Sequence, residues 1–202
     1  MKLIGMLDSP YVRRCAISMK LMDIRFEHQA VSVFRHFDRF RTINPVVKAP
    51  SLVCDDGTVL MDSTLIVDYL ETCVEPGRAL MPAASPARRE ALRLVGLAMA
   101  ACEKCVQIVY EKEQRAVADA KWMDRVVGQA NTAFAELEKA AAKARPWLQG
   151  EELNAADVAV AVAWRFGQYY DSAEVPASKY PALVAYSARA EALPEFSSTP
   201  LD

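Results

Sequence analysis

The chain has 202 residues, 52% hydrophobic and 25% charged, with a net charge of −2 and a pI near 5.8. That composition describes a globular protein of one domain or two small ones. It supplies no basic field for nucleic acid or an anionic membrane, and no apolar run approaches the ~18 residues of a membrane span.

In chain order, residues 2–7 (KLIGML) form a short apolar run that predicts a strand. Asp8-Ser9-Pro10 then reads as a helix start, because proline tolerates the first helical position. Residues 13–22 predict a helix, residues 25–33 an exposed strand, and the aromatic, basic stretch 34–41 an irregular helix. Pro50 stands at the entrance of a strand, one of the few places in a sheet where a residue without an N–H fits. Residues 51–54 and 58–61 flank Asp55-Asp56-Gly57, a strong hairpin signal, since glycine accepts the positive φ of a tight turn. After Met61 the apolar spacing becomes helical, with Asp62 and Ser63 where a cap belongs. A helix start beside a proline-led strand leaves N–H groups that attract carboxylates and phosphates.

Residues 76–87 hold three prolines and a glycine and read as a linker. They divide an α/β unit, residues 1–75, from an all-helical unit, residues 88–202. Ser85-Pro86 predicts a helix with Ser85 as its cap, and its stripe is Leu92, Val95, Met99, Cys102, Val106 and Val109. A second helix is predicted over 119–143 with the stripe Trp122, Val126, Gln129, Ala133, Leu137 and Ala140. The run VAVAVAW alternates as a strand does, but the Asn154–Asp157 spacing of a capping box and the alanine content favour a helix. A last helix spans 180–192, and the segment after it reads as a loose tail. Cys102 and Cys105 form a CxxC inside a helical pattern and read as core cysteines. His28 and His36 are too few and too isolated for a histidine metal site. The N-terminus lacks the apolar stretch of a signal peptide, and the odd count of five cysteines fits reduced thiols in a cytoplasmic protein.

The KAP loop, the hairpin, the acidic-Ser pair and the box at Asn154 resemble the glutathione S-transferase family from end to end. That resemblance implies an α/β thioredoxin-like N-terminal domain, which binds glutathione, followed by an all-α C-terminal helical domain. It also implies that the Ala49–Pro50 peptide is cis, that Ala49 bonds to glutathione's backbone, and that Asp62 and Ser63 hold its γ-glutamyl end. Family members often carry glycine where this chain has Val47, and Ser or Thr where it has Asn154. The expected activity is that of a transferase that uses glutathione as co-substrate and a small hydrophobic electrophile, in a homodimer. The alternatives are a non-catalytic binding or regulatory protein on the same scaffold, or a glutathione-dependent reductase or isomerase.

The residues at 9–12 are Ser-Pro-Tyr-Val where thioredoxin-like proteins carry CxxC, so no dithiol cycle is available. Ser9 resembles the hydroxyl with which many of these transferases bind the glutathione sulfur, and Tyr11 is the rival hydroxyl. A free thiol has a pKa of about 8.5. Lowering that by about 2 units takes ~2.7 kcal/mol, within reach of one charge-assisted hydrogen bond plus a helix dipole. A helix cap is the alternative use of a lone Ser-Pro. Arg13 reads as a solvated surface charge. Tyr11, Tyr110 and Trp164 are candidates to line the electrophile pocket.

Overall fold

The N-terminal apolar run forms strand β1 (Lys2–Ile4) at the centre of a four-stranded sheet, in a computed structural model that describes residues 1–201. Helix α1 (Pro10–Leu21) returns the chain to β2 (Glu27–Gln29), which pairs parallel to β1 with Lys2 opposite Glu27. This is the helical crossover that a parallel pair requires. Helix α2 (Phe37–Ile43) leads into the loop before β3 (Ser51–Val53), which runs antiparallel to β1 with Ile4 opposite Ser51. The predicted hairpin joins β3 to β4 (Val59–Met61), with Gly57 at φ 86° in its turn. Helix α3 (Ser63–Glu71) follows directly. The sheet order is β2-β1-β3-β4, and Ile4, Val31 and Phe40 form a buried cluster on it.

The remaining helices are α4 (Ser85–Glu113), α5 (Ala120–Ala141), α6 (Ala155–Tyr170), α7 (Pro181–Glu191) and the short α8 (Pro194–Ser197). The chain divides into two compact units, Met1–Leu80 with the segment from Leu193 onward, and Met81–Ala192. The fold class is a mixed α/β sheet unit followed by a helical unit.

The segment read as a loose tail is instead an ordered part of the sheet unit. Phe196 is fully buried, and Arg13 lies 6.0 Å from its ring centroid. Arg13 Nε donates to the Thr199 carbonyl at 2.8 Å, and Lys20 Nζ donates to the Ser198 carbonyl at 2.8 Å and to Thr199 Oγ1 at 2.7 Å. Arg13 is therefore no surface charge: it is 1% exposed, and backbone carbonyls satisfy it. Low hydrophobicity hid this contact, which rests on one phenylalanine, main-chain carbonyls and the Ser198 and Thr199 hydroxyls.

In the helical unit, α6 is buried along nearly its whole length, and its alternating Val-Ala run is helical. Asn154 caps it, accepting from Ala156 N at 2.8 Å, and Asp157 Oδ2 reaches back to Asn154 N at 2.8 Å. The cap of α4 is Ala84 rather than Ser85, with no side-chain bond. The buried face of α4 includes Ala91, Leu94, Ala98, Ala101, Cys105 and Ile108 together with Val95 and Cys102 of the predicted stripe, while Leu92 is half exposed. The buried face of α5 holds Val126, Ala133 and Leu137 of the predicted stripe with Ala130 and Phe134, while Trp122 and Gln129 are exposed. Alanines and large apolar side chains such as Leu94, Ile108, Phe134 and Leu137 share these buried faces.

Asp171 ends α6 with its carboxylate fully buried, Lys112 Nζ 3.6 Å away and the Cys105 thiol beside it. Burial pushes its pKa up to about 6, and Lys112 opposes the shift. The raised value makes this carboxyl favour the folded state below the unfolded pKa near 3.9, a contribution lost as pH rises through about 6. An Asp171→Asn variant does not titrate, so it should gain stability on the wild type by up to ~3 kcal/mol between pH 4 and pH 7. Denaturant melts of both proteins at the two pH values measure this, and a constant difference would show that Asp171 is charged throughout.

Candidate functional site at the helix starts of the sheet unit

Three chain segments meet around the first turns of α1. The first is the β1–α1 connection. Gly5 sits at φ 141°, and a Cβ there would meet Val12 Cγ2 at 2.5 Å and Ala49 Cβ at 3.2 Å. Only glycine lets the end of β1 pass this closely between α1 and the proline loop. Its carbonyl accepts from His28 Nε2 at 2.8 Å, which assigns the proton to that nitrogen and gives His28 a structural role. Ser9 is the N-cap of α1 with extended backbone, and Pro10 follows at the first helical position. The Ser9 hydroxyl accepts from Val12 N at 3.5 Å, the long limit of a hydrogen bond. Among the described residues this is its one hydrogen bond, so the O–H is available to an acceptor at the positive end of α1.

The second segment is the loop before β3. The Ala49–Pro50 peptide is cis, as the family resemblance implies. Val47 has φ 54°, a left-handed conformation that a β-branched residue seldom adopts. The loop therefore keeps the backbone turn that glycine would favour, with valine in its place. Two features hold it there. Val47 packs against the Ile4, Val31 and Phe40 cluster, and its N–H donates to the Asn44 carbonyl at 2.9 Å. Asn44 and Ser51 brace the rest: Asn44 Nδ2 donates to Ser51 Oγ at 2.8 Å, which donates to the Lys48 carbonyl at 2.8 Å.

The third segment is the start of α3. Asp62 caps the helix, its Oδ1 accepting from Thr64 N at 2.9 Å. Its backbone lies at φ 73° and ψ 121°, outside the left-handed well, whose ψ runs from roughly 30 to 60°. Such a conformation costs on the order of 1–3 kcal/mol, and strain of this kind clusters at ligand clamps. Lys48 Nζ lies 3.5 Å from Asp62 Oδ2, an exposed pair that orients the side chains more than it stabilises them. Ser63 is buried, and its hydroxyl accepts from Arg14 Nη1 at 3.3 Å. The Cys15 thiol faces the Ser63 carbonyl at 3.9 Å, and burial pushes its pKa up to about 12, so it is no nucleophile at neutral pH.

Ser9, Ala49, Pro50, Asp62 and Ser63 thus all lie in one unit, at two helix starts and the proline loop that abuts the β1–α1 connection. Sequence reasoning missed Arg14, Asn44 and Ser51, whose partners are distant or backbone groups. Of the pocket candidates, Trp164 is a core residue, 3% exposed and packed edge-on against Phe134 and Tyr180 with ring centroids 5.4 and 5.5 Å away. Tyr110 is exposed on α4, and Tyr11 is half-buried on α1.

A sheet unit with a cis-proline loop, joined to a helical unit built around a capped, buried helix, defines a two-domain thioredoxin-like class. The glutathione S-transferase N-terminal domain model matches residues 3–76, and the C-terminal domain model matches residues 120–189. The chain belongs to the glutathione S-transferase family. It is 28% identical over 196 residues to probable maleylacetoacetate isomerase 1 of Drosophila melanogaster, covering 92% of this chain and 74% of that protein. A glutathione transferase family member of Pseudomonas fluorescens Pf-5, solved with bound glutathione, superposes with a TM-score of 0.89 at 26% identity, over 100% of this chain and 98% of that one. The structure of a family member from the same source with S-(propanoic acid)-glutathione gives 0.85 at 27% identity, over 98% of both chains. Among the described residues no helix is long and apolar enough to cross a membrane.

Proposed function

We propose that this protein is a glutathione transferase that binds glutathione across the α3 start and the proline loop, stabilises its thiolate at Ser9, and adds the sulfur to a small hydrophobic electrophile. The observation that carries the reading is the grouping of Ser9, the cis Ala49–Pro50 peptide and the strained Asp62–Ser63 helix start in one unit of a family member. On this reading the Ala49 backbone bonds along the tripeptide, Asp62 takes its ammonium, and Ser63 with the α3 N-terminus takes its carboxylate. The Ser9 hydroxyl donates to the sulfur, and the positive end of α1 favours the anion. Serine stays neutral throughout, and the nucleophile is the thiolate of the co-substrate. The same thiolate adding reversibly to an activated double bond would serve an isomerase, a second reading favoured by the similarity to the Drosophila protein over most of both chains. The five free cysteines fit a cytoplasmic setting, and a homodimer is the assembly the family resemblance implies.

The test is the ultraviolet thiolate signal of bound glutathione against pH. Ser9→Ala should raise the bound thiol's pKa by about 1–2 units and lower turnover at pH 7 by roughly tenfold or more. Affinity should change less, and the loss should shrink as pH nears the free thiol's own pKa. Superimposable titrations of wild type and variant would reduce Ser9 to a helix cap and move the role to Tyr11.

A further inference from the structure

Arg14 stands in the second turn of α1, is 2% exposed, and reaches across to the first turn of α3. A guanidinium is almost never so buried unless it is paired. Arg14 Nη1 donates to Ser63 Oγ at 3.3 Å and to Thr64 Oγ1 at 3.2 Å. Its positive charge and the negative charge of Asp62 both act on the Cys15 thiol packed beneath. One arginine therefore addresses both hydroxyls of the helix start.

A hydroxyl has one proton and two acceptor lone pairs. Once Ser63 and Thr64 have accepted from Arg14, each keeps its own O–H to donate outward. The N–H of Ser63 belongs to the first turn of α3, whose N–H groups have no intrahelical acceptor, while that of Thr64 is taken by Asp62. The result is a cluster of donors with a fixed positive charge behind it and the Asp62 carboxylate at its edge. That pattern suits a zwitterion: a carboxylate against the hydroxyls and helix N-terminus, and an ammonium against Asp62.

We propose that Arg14 is a positioning residue that turns Ser63 and Thr64 into donors toward the α-carboxylate of the γ-glutamyl end of glutathione. The inference rests on the glutathione reading above. Arg14 acts on affinity and not on the sulfur, so its effect belongs to binding.

Calorimetric titration of the full-length protein with glutathione tests it, using wild type, Arg14→Met, Arg14→Lys, Ser63→Ala and the Arg14→Met/Ser63→Ala double variant, each checked by thermal melting. Arg14→Met should weaken binding by about tenfold or more, the loss of one charged hydrogen-bonding group. Arg14→Lys keeps the charge but on a shorter side chain that does not reach the position of Nη1, the nitrogen that serves both hydroxyls, so it should recover part of that loss. Because Arg14 works through Ser63, the double variant should be little weaker than Ser63→Ala alone. A glutathione analogue whose γ-glutamyl α-carboxylate is amidated should bind wild type and Arg14→Met almost equally. The bound thiol's pKa should be the same in wild type and the Arg14 variants. Wild type that does not bind glutathione would overturn the functional reading and this inference with it. Wild-type binding with unchanged affinity in Arg14→Lys and Arg14→Met, an additive double variant, or an equal loss with the amidated analogue would overturn the inference alone. Should Arg14→Met fail to fold, Arg14→Lys against both ligands decides the matter.

Discussion

An Asp157→Ala variant should lose about 4 kcal/mol of stability, the largest single effect expected outside the aromatic core. Asp157 is fully buried, and its carboxylate accepts from Leu148 N at 2.8 Å, from Asn154 N at 2.8 Å and from the Tyr186 hydroxyl. It thereby ties the α5–α6 connection, the cap of α6 and helix α7 together. Burial raises its pKa, and the three donors oppose that shift. Each bond to a charged acceptor contributes on the order of 1.5–3 kcal/mol, and deletion strands a buried N–H, a part-buried N–H and a buried phenol. The contributions overlap, so the sum is taken below full additivity. Asp157→Asn retains one acceptor oxygen and should lose about half as much. Chemical denaturation measures both. An Ala variant within ~1 kcal/mol of wild type would mean that water replaces the carboxylate at all three donors.

The second large effect concerns Phe196. Truncation to alanine removes a fully buried ring from the α1 face and the aromatic partner of Arg13. Phe→Ala changes in cores cost about 3–5 kcal/mol, and this site falls in that range because the ring is fully buried. Lys20→Ala breaks three bonds to the same segment at a partly exposed position and should cost about 1 kcal/mol or less. Equilibrium unfolding of the two variants separates these expectations. Equal small losses from both would mean the segment is not anchored on α1.

Much of the sheet unit was legible because its signals are local. Asp55-Asp56-Gly57 between two apolar runs specifies a hairpin, and Ser9-Pro10 and Asp62-Ser63 announce helix starts through capping chemistry that acts within three residues. The Asn154–Asp157 box settled α6 as a helix against its alternating pattern. What sequence reasoning missed was decided at a distance. Arg14 reaches 49 residues along the chain to Ser63, and Arg13 reaches 186 residues to Thr199, so neither spacing carries a signal. The stripes of α4 and α5 were legible in part: Val95, Cys102, Val126, Ala133 and Leu137 are buried, while Leu92 and Trp122 at the stripe ends lie outside. Val47 illustrates the same limit: its backbone conformation is imposed by Asn44, Ser51 and the cluster beneath it, against its own preference.

The docking of residues 193–199 on α1 has a consequence for the order of events during synthesis. The sheet unit is encoded first, yet Arg13 and Lys20 meet their carbonyl partners only after the intervening helical unit has left the ribosome. Until then, the α1 surface that receives Phe196 stays open, and Arg13 and Lys20 lack the acceptors of that segment. The nascent sheet unit must wait through the translation of residues 81–192 before residues 193–199 can close its outer face.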